Sequence, residues 1–145
     1  MSVHSINKRA EFDYEILERF EAGILLSGHE VRSIRAGHVN LLGARAIIRG
    51  NELYVVGMQI PSFQPGNKPG GYDAERTRKL LLNKEEILRL LGKTQSGLTL
   101  VVTKLYSKNH FLKLELGLAR AKKKYDKRET IKKRETEREI RRIVS

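Results

Sequence analysis

The sequence predicts a mainly β protein: a small antiparallel barrel, closed or nearly closed, with flanking helices and a basic C-terminal tail. Three observations lead there. In "FLKLELGL", Leu112, Leu114, Leu116 and Leu118 alternate with Lys113 and Glu115, the period of a strand with one buried and one wetted face. Arg49, Gly50 and Asn51 separate "ARAII" from "ELYVVGMQI", and a Gly-Asn pair accepts the positive φ of a tight hairpin. A chain of 145 residues with 39% hydrophobic and 6% aromatic content buries one modest core. Five or six short strands and two helices around one core imply a barrel.

Residues 1 to 10 are polar and read as loose. From Phe12 to Leu26 two patterns compete. Phe12, Ile16 and Phe20 recur at helical spacing, while Tyr14, Ile16 and Glu18 suit one face of a strand and Gly23 sits poorly in a helix. "SGHEVRSIRAG" reads as a short helix capped by Ser27, with Val31 and Ile34 on one side and Gly37 as its stop. The Gly50–Asn51 hairpin follows. "PSFQPGNKPGG" holds all three prolines and reads as a surface loop.

"NKEEILRLLGK" is the strongest helix signal. Asn83 and Glu86 have the spacing of a capping box, Ile87, Leu90 and Leu91 share a face, and Gly92 is read as the end. "LTLVVTKLY" and "FLKLELGL" then form a second hairpin around Ser107 to His110. The domain is taken as residues 1–120 and the tail as 121–145.

Charge is unevenly placed. The last 26 residues carry 12 Lys and Arg against 5 Asp and Glu, a net +7 of the +12 in the whole chain. Such a protein attracts polyanions: nucleic acid, an acidic protein or an anionic membrane surface. The membrane reading needs a broad apolar face, which the tail lacks. Glu129–Lys133 and Glu137–Arg141 have the favoured order of helical ion pairs. Large apolar groups are few, so the tail is expected to be flexible when free and helical when bound.

No apolar run spans a bilayer, and "MSVHSINKRAEFDYE" lacks the apolar stretch of a signal peptide, so the chain reads as cytosolic. With no cysteine, disulfides, thiolate metal sites and thiol catalysis are excluded. His29 and His38 lack the spacing of metal ligands. "LGKT" at Leu91–Thr94 has Ile87 where a phosphate-binding loop needs glycine. Ser27, Ser33 and the scattered acids form no local nucleophile–base pattern. No enzyme, metal or cofactor is expected. Arg76, Arg78 and Lys79, three cations in four positions, suit contacts to phosphates.

Three stretches, "NKRAEFDYEILERFEAGILLSGHEVRSIRAGHVNL", "AERTRKLLLNKEEILRLLGK" and "GLARAKKKYDKRETIKKRETEREIRRI", resemble the small protein B family in its order. These are the SsrA-binding proteins that accompany transfer-messenger RNA in bacterial ribosome rescue. The resemblance spans Asn7 to Ile143 and implies an oligonucleotide-binding-like barrel in which Tyr14 to Leu26 is strand.

It also implies two RNA surfaces. A barrel face would grip the tRNA-like domain of transfer-messenger RNA, and the tail would occupy the decoding centre of a stalled ribosome, against small-subunit RNA. Glu30 matches the acid of a Gly-x-Glu-Val motif; Leu81 and Asn83 match positions tied to the tRNA-like domain; Asp126, Lys127 and Arg128 match an Asp-Lys-Arg in the tail. Each also has a structural reading: Glu30 as a first-turn acid, Leu81 as core, Asn83 as a cap. In the tail, Lys122, Lys123, Lys124, Lys127, Arg128, Lys132, Lys133 and Arg134 are placed to neutralise phosphates, and Tyr125 to stack on a base. A monomer is expected. Gly43, Ala44 and Arg45 stand where the family commonly has Asp-Ser-Tyr, Ser107 where an aromatic is frequent, and Ala74 at a common Pro. The alternative function is a ribosome-associated structural RNA-binding protein.

Overall fold

The computed structural model describes residues 1–63, 70–122, 128, 131–135 and 138. Its long strands follow from alternation. β6 (Thr99–Lys108) and β7 (Phe111–Ala121) form a hairpin whose two turn residues, Asn109 and His110, have φ of 52° and 68°, the left-handed pair of a type I′ turn. Leu112, Leu114, Leu116 and Leu118 all face the core, as their alternation requires. β3 (Arg45–Arg49) and β4 (Glu52–Val56) are joined by Gly50 and Asn51, both at positive φ.

β1 (Ser2–Ile6), β2 (Tyr14–Ile24) and β5 (Arg78–Leu81) complete a seven-stranded antiparallel sheet in the order β1-β6-β3-β4-β5-β2-β7. Because β7 also pairs with β6, six of these strands close a barrel-like ring, with β1 attached outside it to β6. Register shifts in β2 at Ile16/Glu18 and in β6 at Val102/Lys104 supply the extra twist that closure needs. Between them lies Gly117, where an added Cβ would meet Ile16 Cγ2 at 3.0 Å.

Leu53, Val55, Leu80, Leu100, Val102, Leu105, Leu114 and Leu116 fill the interior. Ile34 of α2 (Gly28–Arg35), with Ile87 and Leu90 of α3 (Lys84–Gln95), belongs to the same buried cluster.

Three expectations change: the loose N-terminus, the end of α3 at Gly92 and the capping box of Asn83 with Glu86. The N-terminus is ordered structure, because β1 pairs from Ser2↔Ser107 to Ile6↔Lys104. Buried Asn7 then caps α1 (Lys8–Asp13) and donates through Nδ2 to Leu41 O and Val102 O, each at 3.0 Å. The helical spacing of Phe12, Ile16 and Phe20 belongs to helix only as far as Asp13, after which the chain is strand. Gly92 does not end α3, which runs on to Gln95 and reaches a positive-φ glycine only at Gly97.

At Asn83 the side chain caps Glu86 N over 2.9 Å, while the Glu86 carboxylate pairs with Arg89. A complete reciprocal capping box stands at Ser27 and Glu30.

Candidate nucleic-acid interface

Strand period two sorts "RKLL" of β5 into two faces. Arg78 and Leu80 point inward and are fully buried; Lys79 and Leu81 point outward. On the outward face Lys79 stands opposite Tyr54, and its Nζ lies 3.2 Å from Glu52 Oε1. Leu81 pairs with Gly23 and lies over it, with 3.2 Å between Leu81 Cβ and the point a Gly23 Cβ would take. Gly23 thus leaves room for Leu81, which remains 47% exposed rather than joining the core. Asn83 is exposed beside it, at the start of α3.

Behind this face lies a buried ion cluster. Glu30 closes the α2 capping box through Ser27 N at 2.9 Å and receives two arginines. Arg78 Nε donates to Oε2 at 2.6 Å; Arg76 donates from Nε to Oε2 at 3.1 Å and from Nη2 to Oε1 at 2.5 Å. Arg78 also donates to the carbonyls of Met58, Arg76 and Ala74 at 2.8, 3.1 and 3.0 Å.

Burial alone would raise the pKa of Glu30. The hydrogen bonds from Arg76, Ser27 and Arg78 and the charge of Arg78 outweigh it and hold the pKa at about 2. Arg76 differs from Arg78 in reaching solvent, with 42% of its side chain exposed. The adjoining segment is held by the Tyr72 hydroxyl donating to Ile60 O, by a His29–Tyr72 edge-on ring contact at 4.8 Å, and by Phe63 N donating to His29 Nε2 at 3.3 Å.

The structure therefore divides the expected set. Arg76, Lys79, Leu81 and Asn83 present atoms to the surface. Glu30 and Arg78 are enclosed, so the reading of Arg78 as a phosphate contact is corrected: its donors are taken up inside the fold. Glu30 and Arg78 hold Arg76 and β5 in place. Tyr54, opposite Lys79 on the same outward face, was not in the expected set; the alternation of Glu52 and Tyr54 outward with Leu53 and Val55 inward gives its orientation.

In the tail, Lys122 N donates to Asp13 O at 2.9 Å, and Arg128, Lys132, Lys133 and Arg134 are helical and exposed. Arg134 Cζ lies 5.6 Å from the ring centroid of Phe12, which Arg9 also approaches at 5.3 Å. Lys123, Lys124, Tyr125, Asp126 and Lys127 lie outside the described residues, as do Glu129 and Glu137 of the expected helical pairs. Among the described residues no helix is long and apolar enough to cross a membrane.

Residues 4–145 match the family model described as SmpB protein. The chain belongs to the SmpB family. An SsrA-binding protein of Mycoplasma mycoides subsp. mycoides SC is 48% identical over 141 residues, which is 95% of each chain. One from Carboxydothermus hydrogenoformans is 52% identical over 135 residues, 92% of this chain and 90% of the relative. Among solved structures, a chain described by "tmRNA-SmpB: a journey to the center of the bacterial ribosome" is similar at a TM-score of 0.70 and 47% identity, covering 86% of this chain and 87% of that one. The family expected from "RTRKLLL" and the tail is thus established, together with its antiparallel β architecture.

Proposed function

We propose that this SmpB-family protein binds the tRNA-like domain of transfer-messenger RNA and delivers that RNA to stalled ribosomes for trans-translation. The observation that carries the reading is the build of the β5 face. Buried Glu30 holds the half-exposed Arg76 just before β5, and Lys79, exposed Leu81 and exposed Asn83 follow on the outward face of β5 and at the start of α3. A cation fixed by a buried carboxylate, as Arg76 is, meets a phosphate without first being ordered, and an exposed apolar side chain on the same face as Lys79 suits the sugar and base surface of a folded RNA. Tyr54, next to Lys79, adds an aromatic surface for stacking.

The protein works by charge and shape complementarity rather than by making or breaking bonds, in the cytoplasm, as a monomer. The tail, including Lys122–Lys124, Tyr125, Asp126, Lys127, Arg128, Lys132, Lys133 and Arg134, occupies the decoding centre, its cations against phosphates of small-subunit RNA. The relatives named SsrA-binding protein and the solved structure described by tmRNA, SmpB and the ribosome support this reading. Purification of the protein from cells, followed by sequencing of the RNA that comes with it, tests it. Transfer-messenger RNA should dominate, and the protein should be enriched on stalled ribosomes. Constant stoichiometry on all ribosomes would instead fit a structural ribosomal component.

A further inference from the structure

β1, the last turn of α2 and the β6–β7 turn line an open surface cleft of about 340 Å³ that the β5 face does not use. Its walls include Ser2, His4, Arg35, Ser107, Asn109 and His110, and among the described residues no carboxylate lines it. We infer that this cleft is a second RNA contact, taking a phosphodiester group of an RNA backbone.

The first ground is the state of Arg35. Arg9, Arg19, Arg76, Arg78, Arg89 and Arg120 each face a carboxylate. Arg35, like Arg32, Arg45 and Arg49, faces none among the described residues, but it alone of these lines the cleft, where its Nη2 donates to His110 O at 3.2 Å. A planar guanidinium holding one carbonyl keeps further N–H donors for an anion, in the fork geometry that suits phosphate.

The second ground is the wall opposite. His4 Nε2 and Ser107 Oγ form a hydrogen-bonded pair at 2.5 Å that ties β1 to β6 and adds further polar groups to the cleft. Burial, and then the charge of Arg35, lowers the pKa of His4, so the guanidinium is the fixed charge here. The third ground is placement. α2 holds Arg76 through Glu30 in its first turn and presents Arg35 in its last, so one rigid helix links the two basic sites.

NMR of the full-length protein tests this through the ring signals of His4 and His110 and the methyl signals of Leu81. At low salt, inorganic phosphate and a short RNA duplex should each move the two histidine signals, and Arg35→Gln should need at least about tenfold more of either ligand for the same movement. The inference is overturned if neither ligand moves them, or if Arg35→Gln responds like the unaltered protein. Movement with phosphate but not with duplex would reject an RNA backbone as the occupant. Leu81 reports on the β5 face separately: histidines silent while Leu81 moves with the tRNA-like RNA would overturn this inference and leave the proposed function standing.

Discussion

Arg78 Nε donates to Glu30 Oε2 over 2.6 Å with both side chains fully buried, so a strand and a helix far apart in sequence share one ion pair inside the fold. Removing Glu30 leaves the buried Arg78 charge without its counter-ion, which costs about 3–5 kcal/mol, whereas removing Arg78 leaves Glu30 paired with Arg76 and costs less. Glu30→Ala should lower the unfolding free energy read from urea curves by that order, and Arg78→Met by a smaller amount. The double variant should lose clearly less than the sum of the two. Additive losses in the unfolding curves would mean that the two residues are not coupled.

Glu30 also makes stability depend on acid. Its folded pKa is about 2 against an ordinary 4.5, so the folded state favours the carboxylate. The resulting stability is fully present above about 4.5 and is lost as pH falls through the folded value. Unfolding free energy measured from pH 5 down to pH 2 should fall steeply, and Glu30→Gln should flatten that fall. An unchanged slope in the variant would assign the acid sensitivity to other carboxylates.

Lys79 and Leu81 point away from the core, so their removal should spare the fold. Lys79→Ala should weaken binding of transfer-messenger RNA and reduce the slope of log affinity against log salt by about 1. Leu81→Ala should weaken binding with no change of slope, since no charge is lost. Filter binding at several salt concentrations separates the two outcomes, with circular dichroism confirming that each variant is folded.

Gly57 has φ of 77°, and a Cβ there would meet the backbone oxygen of Gly43 at 2.6 Å. Gly43 has φ of 81° but open space around it. Gly43→Ala should therefore cost only the backbone strain, about 1 kcal/mol, and Gly57→Ala more than that, because two backbones must also separate. Thermal melts showing equal losses would contradict the close approach.

What the sequence disclosed was local. The leucine alternation of β7, the Gly50–Asn51 turn and the caps at Ser27 and Asn83 depend on neighbours within a few residues, and each was readable. β1 was not, because both its faces are largely open and its pairing, Ser2 with Ser107, spans most of the chain. In "RTRK" the three cations look alike as composition. Strand parity separates Arg78 from Lys79: with Leu80 in the core, Arg78 two residues earlier must point inward as well, while Arg76 lies before the strand, beyond the reach of that rule. The buried partner that makes this tolerable, Glu30, comes from a helix that no local pattern connects to β5.

The central claim is that the ring holds the RNA while the tail acts on the ribosome. Cutting the chain after Lys124 and measuring two quantities with the same preparation tests it most directly: affinity for the tRNA-like domain, and tagging of stalled peptides in a reconstituted translation system. The account predicts affinity within about threefold of the full chain, a difference under 1 kcal/mol, and loss of tagging. A truncated protein that still supports tagging, or one that fails to hold the RNA, would contradict it.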